Sequence, residues 1–182
     1  MRLRSILILM TVLLALGGYL YFSNSPEPAS NSEPRFFMWK IDMQDLQQVE
    51  IQLPRENKSQ AFILGEDGAW HFDDPQRSEV DSERWGGGIP ALLSGPGADR
   101  VIKENATEEE IAKYGLSQPQ MVITLTLTDG KSITIIIGDK TPIGDAYVQV
   151  PGSNKVATVD YTWYNVIERL VTEPPYAATA AK

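Results

Sequence analysis

An uncharged apolar run, SILILMTVLLALGGYLYF, occupies Ser5 to Phe22. As a helix it would reach about 27 Å, close to the roughly 30 Å hydrocarbon core of a bilayer. Arg2 and Arg4 precede it, and no basic residue follows before Arg35. The pattern predicts one transmembrane anchor over residues 5–22, with residues 1–4 as a cytoplasmic tip and the rest of the chain outside the cytoplasm. A cleaved signal peptide is the competing reading, since Ala15-Leu16-Gly17 is a passable small-x-small site. Apolar residues that continue through Phe22 favour the uncleaved anchor. Residues 23–34, SNSPEPASNSEP, hold no apolar residue larger than Ala and read as a flexible, extended linker.

After the linker the period is mostly two, the spacing of strands. Phe36 to Ile41 is rich in β-forming residues. Val49, Ile51 and Leu53 alternate with Glu50 and Gln52, and Gln60 to Leu64 follows as a second strand. Asp67-Gly68 then turns the chain into Ala69 to Asp73, and a type I′ turn is expected there. The clearest hairpin sets Met121, Ile123, Leu125 and Leu127 against Ile133, Ile135 and Ile137 around Asp129-Gly130. Threonines hold the alternate positions, which predicts one face on a core and one in water. Ala146–Val150 and Val156–Val159 form a further hairpin around Gly152-Ser153-Asn154.

Helical signals are fewer. Thr107 with Glu110 reads as a capping box, and Gly115 as the residue that ends that helix, with Ile111 and Leu116 in contact. Asp160 should cap a last helix that buries Trp163, Ile167, Leu170 and Val171 and stops at Pro174-Pro175. Glu79 to Leu93 is helical in tendency but broken by Gly86-Gly87-Gly88 and Pro90. The expected fold is therefore α+β over residues 35–173: mainly antiparallel β-hairpins with two or three short helices. A disordered tail is expected over 174–182. Each half runs strands then helix, the outline of two degenerate β-rich repeats.

Composition narrows the chemistry. With 16 basic and 24 acidic residues the chain carries −8, a poor balance for binding nucleic acid. It has no cysteine and one histidine, so disulfides, thiolate metal sites and multi-histidine sites are excluded. His71, in a strand next to Trp70, has no nucleophile placed beside it by any motif, and reads as a partly packed strand residue rather than a general base. Asp73, Asp74, Glu79, Asp81 and Glu83 could hold Ca²⁺ through oxygens, but their spacing is not that of an EF-hand loop, and a solvated turn accounts for them. Gly138-Asp139-Lys140-Thr141-Pro142 could form an anion nest or simply end a strand. The four tryptophans suit the core. Trp85, beside three glycines, is the candidate for an exposed partner contact. No cofactor is expected.

Tyr114-Gly115-Leu116 with Pro119, the strands around Asp129-Gly130-Lys131, Ile137-Gly138-Asp139-Lys140-Thr141-Pro142, and then Gly144, Tyr147 and Val148 occur in an order that resembles domain-of-unknown-function family 4340 of bacteria. Gly68-Ala69-Trp70 and Asp74-Pro75 are similar to its earlier motifs, so the resemblance reaches from Val49 to Val171. It implies a membrane-anchored protein, often encoded near ABC transporters of the gliding-motility type, with no activity attached and no catalytic residues to carry over. The chain departs from the family at Trp85 to Pro90, where relatives keep an unbroken helix, and many relatives are longer.

The resulting expectation is a non-enzymatic, single-pass module of the bacterial cytoplasmic membrane. Its N-terminus would lie inside and its domain outside, and it would bind a membrane or envelope protein as an accessory subunit of an envelope or transporter complex. The alternative is an envelope ligand-binding receptor or hydrolase with an unrecognised site.

Overall fold

A computed structural model describes residues 10–14, 16, 19, 37–85, 88–95, 98 and 100–177. The chain divides into two compact units, Met1–Pro34 and Arg35–Lys182. In the first, Met10–Leu14, Leu16 and Tyr19 are helical. Among the described residues no helix is long and apolar enough to cross a membrane. Much of the proposed anchor, and all of the linker, lie outside the described residues.

The second unit is α+β. Its strands are β1 (Leu46–Leu53), β2 (Lys58–Leu64), β3 (Trp70–Phe72), β4 (Arg100–Lys103), β5 (Met121–Leu127), β6 (Ser132–Lys140), β7 (Ala146–Gln149) and β8 (Val156–Val159). Its helices are α1 (Ser82–Trp85), α2 (Ile89–Leu93), α3 (Glu108–Lys113) and α4 (Tyr161–Thr172), with a 3-10 turn at Pro54–Glu56. The strands form one antiparallel sheet in the order β3-β2-β1-β5-β6-β7-β8-β4. The halves meet where β1 pairs with β5, with Ile51 opposite Ile123 and Val49 opposite Leu125.

The period of two places the core. Val49, Ile51, Ile123, Leu125, Ile135 and Ile137 are fully buried on one face, under α4 with Trp163, Ile167 and Leu170, and with Ile89 and Leu93 of α2. Trp39 and Trp163 meet there at 6.1 Å. A smaller core lies on the other face at the β6–β8 end. Ile136, Tyr147 and Val156 pack there against Ile111, Tyr114 and Leu116 of α3 and its exit. The structure thus has helices on both faces, but α3 covers only one end of the second.

Both ends of α3 follow from sequence. Thr107 and Glu110 form the capping box. At the exit Leu116 N–H donates to Ile111 O, and Gly115, at φ +73°, to Ala112 O, a Schellman motif. Asp160 caps α4 through Thr162 N–H.

Three expectations are corrected, and one strand appears that the sequence pattern does not predict. Phe37–Ile41 is irregular rather than a strand, because its bonds go to α2: Trp39 Nε1 donates to Leu93 O at 2.8 Å and Ile41 N–H to Ser94 O at 2.8 Å. Arg100–Lys103, with no alternation long enough to mark it, is a strand because β8 offers an open edge. The Asp-Gly turns are not type I′. Gly68 and Gly130 adopt positive φ but their aspartates do not. Asp67 and Asp129 instead accept the N–H two residues on, from Ala69 and Lys131, which holds a type I turn with the glycine as a bulge. The chain also stays folded past residue 173. Asp81 N–H donates to Pro175 O at 2.8 Å and Tyr176 stacks on Phe72 at 4.0 Å, so the tail cannot begin at 174. Glu79 to Leu93 resolves into α1 and α2, two short pieces either side of the glycines.

Candidate functional site

The second face of the sheet carries three cross-strand rows, the third of which runs under α3 at Ile136. Gln48, Thr126 and Ser132 make one; Glu50, Thr124 and Thr134 the next; Gln52, Val122 and Ile136 the third. Strand β2 extends them with Ile63, Ala61 and Ser59. Apart from Glu50 these positions are uncharged, in a chain where 22% of residues are charged. The side chains bond one another: Gln52 Nε2 donates to Glu50 Oε1 at 2.7 Å, and the hydroxyls of Thr126 and Ser132 lie 3.3 Å apart. The larger buried cluster lies on the opposite face. A surface with many donors and acceptors and one carboxylate can take another polypeptide while desolvating little charge.

Continuing the first of these rows, β3 adds His71 opposite Ile63. A groove of about 570 Å³ opens there, lined by Ile63, Leu64, Asp67, His71 and Arg77. His71 Nε2 lies 3.0 Å from Asp67 Oδ2, and Nδ1 lies 3.2 Å from the Arg77 carbonyl. Both ring nitrogens face acceptors, so the neutral ring can donate to only one of them. The Ala69 N–H and then His71 hold the Asp67 carboxyl below its ordinary value. Gly65 lies beneath this pair, and a Cβ there would displace the Asp67 carboxylate and the His71 ring. His71 thus links the Asp67 turn to the Arg77 carbonyl from its place on β3.

The acidic cluster is dispersed. Asp73 pairs with Arg77 at 2.9 Å and accepts from Gln48 at 2.7 Å. Asp74 closes its turn on Ser78, which holds its carboxyl low, and Asp81 caps α1 through Glu83 and Arg84 N–H. Among the described residues no three acidic or histidine groups are grouped to hold a metal.

Gly138-Asp139-Lys140-Thr141-Pro142 is an architectural lock. Asp139 N–H donates to Tyr114 O at 2.8 Å, and a Cβ on Gly138 would lie 2.2 Å from that same oxygen. A Cβ on Gly115 would strike the Asp139 carboxylate. That carboxylate accepts from Arg55 at 2.8 Å. Thr141 then closes the turn into β7 by accepting from Asp145 N–H. The motif ends a strand and clasps the exit of α3.

Trp85 is a core residue, 4% exposed, with its ring 4.6 Å from Phe62 and 5.3 Å from Trp70. The expectation of an exposed partner contact is corrected. α1 is too short to hold the ring out, and β2 and β3 offer aromatic cover. Its Nε1 is buried with no hydrogen-bond partner. Sequence reasoning missed Gln48, Glu50 and Gln52 as surface determinants. Their signal was the polar half of the β1 alternation, legible only once β5 and β6 were paired beside it.

Residues 91–170 match a family described as a domain of unknown function (DUF4340), which bears out the resemblance over that stretch. The motifs Tyr114-Gly115-Leu116 and Gly138-Asp139-Lys140-Thr141-Pro142 fall inside it; Gly68-Ala69-Trp70 falls outside. No curated protein and no solved structure matches the chain.

Proposed function

We propose that this protein is a non-enzymatic, membrane-anchored extracytoplasmic module that holds a protein partner on the open face of its sheet, as an accessory subunit of an envelope or transporter complex. The open, uncharged ladder of β1, β2, β5 and β6 carries this reading. A solvated sheet face in an acidic protein ordinarily collects Lys, Glu and Asp; this one presents Gln, Thr and Ser, with Ala61, Ile63, Val122 and Ile136 among them and a single carboxylate. The apolar run before residue 23, with arginines on one side only, supports anchoring with the domain outside. A receptor reading draws on the His71 groove, where Arg77 and the aliphatic Ile63 and Leu64 could hold a small ligand.

The test is complementation of a deletion strain with the full chain. Thr124→Arg combined with Gln52→Arg places two charges on the ladder and should abolish function while circular dichroism stays unchanged. His71→Ala, folded, should complement. A folded His71→Ala that fails, beside a ladder variant that works, would replace the docking module with the receptor.

A further inference from the structure

Among the described residues of the folded unit, six large apolar side chains are exposed: Phe37, Met43, Leu92, Ile143, Val166 and Tyr176. Tyr176 lies against Phe72, and Ile143 stands alone at a hairpin tip. The other four lie on α2, on α4 or on the segment before β1 that bonds to α2. Met43 lines one groove with Ala91 and Ser94, one residue before and two after Leu92 on α2. Trp163 of α4 donates Nε1 to Leu92 O at 3.0 Å. Val166, in the next turn of α4, lines a second groove with Ile89 of α2. Phe37 begins the same segment, with Lys40 Nζ 5.8 Å above its ring. Lys40, Arg84 and Arg169 line these two grooves, with Asp42 and Glu173 as their acids. Exposed apolar side chains, with three cations and two acids beside them and Arg169 paired to Glu173 at 3.0 Å, thus gather where the chain enters its folded unit.

We propose that this α2–α4 surface rests on a phospholipid bilayer, with Phe37, Met43, Leu92 and Val166 seated in the headgroup zone. The inference rests on the anchored reading above. Twelve residues, 23–34, separate the apolar run from the folded unit. Twelve residues reach at most about 40 Å however they are arranged, which bounds how far the patch can lie from the membrane. Apolar side chains bind the interface in proportion to their buried area, and cations at their rim favour anionic headgroups. The ladder face, on the other side of the sheet from α2 and α4, would then point away from the lipid toward a partner.

The absence of cysteine makes the test clean. Leu92→Cys, Met43→Cys and, on α3 at the opposite face, Glu109→Cys would each carry an environment-sensitive fluorophore in the full chain. Each chain is reconstituted in vesicles of phosphatidylcholine and phosphatidylglycerol, with nitroxide lipid as quencher. The expected result is a blue shift and loss of emission at positions 92 and 43, with neither at 109. Val166→Glu, folded by circular dichroism, should reduce the quenching at 43. Equal quenching at all three positions, or none, overturns the proposal. So does a shift at 92 that grows with the protein-to-lipid ratio and resists the lipid quencher, which would assign the patch to a second copy. A chain that resists alkaline extraction while its probes stay unquenched loses this inference alone. A chain that alkali releases loses the anchored reading as well.

Discussion

Single residues here are decided by how close two backbones come. Gly138 sits against Tyr114 O, which is fixed by the Asp139 N–H, so a methyl group has nowhere to go. Gly138→Ala should lower stability by about 1–3 kcal/mol, as overpacking does, read as a lower urea midpoint with an unchanged slope. Trp85 is the contrasting case, a large ring in the core with an unpaired donor. Trp85→Ala should cost about 3–5 kcal/mol. Trp85→Phe should cost clearly less, because it removes a buried N–H whose lost hydrogen bond costs roughly 1–3 kcal/mol. Equal losses for the two variants would show that the indole nitrogen is satisfied in solution. The ring's apolar bulk was legible in the sequence, and its burial was not, because the aromatic cover comes from Phe62 and Trp70 on other elements.

At the scale of elements, strand facing was legible wherever both members of a hairpin alternate. Leu125 and Ile135 are fully buried, and Thr124 lies on the opposite face. Leu125→Ala or Ile135→Ala should cost about 2–5 kcal/mol, and Thr124→Ala far less. A denaturant melt in which the threonine change is the more damaging would invert the sheet. Helix α3 was legible to its caps, because capping and the Schellman turn are local chemistry. Thr107→Ala should cost about 0.5–2 kcal/mol, checked the same way. Strand β4 was not legible: four residues with a bulge carry no period, and their conformation comes from the free edge of β8. Phe37–Ile41 failed for the converse reason. Its β-forming residues were overruled by hydrogen bonds to Leu93 and Ser94.

For the whole molecule, ionisation sets the pH range of stability. Asp67, Asp74, Glu110, Asp129 and Asp160 are held below their ordinary values by hydrogen bonds, with Ala69, Ser78, Lys103, Lys131 and Thr162 as the leading partners. A carboxyl lowered in the folded state stabilises it above the unfolded value, near 4, and loses that contribution as pH falls through the folded one. Tyr164 is raised by burial and then by Glu168, and Lys103 and Lys131 are raised by their acidic partners. Raised groups stabilise the fold below their unfolded values, near 10, and cease to do so as pH rises through the folded ones. The urea midpoint should therefore stay level through neutrality and fall below about pH 4 and above about pH 10. Tyr164→Phe should flatten the alkaline fall, which a midpoint series against pH would show.

The sequence by itself determined what depends on neighbours along the chain. Alternation set which side of each long strand is buried, Thr107, Gly115 and Asp160 set the helix ends, and composition excluded thiol and multi-histidine chemistry. Even there the turn type escaped, since Asp67 and Asp129 choose it through bonds two residues away. Tertiary structure alone decided the order of the strands, the second small core under α3, the clasp of Gly138-Asp139 on Tyr114-Gly115, and the burial of Trp85. It also decided that Gln48, Thr126 and Ser132 share one uncharged row and that Leu92 and Val166 are left exposed. These are contacts between residues far apart in the chain. Their energy comes from surface removed from water by a distant segment, and no local pattern records which segment that will be.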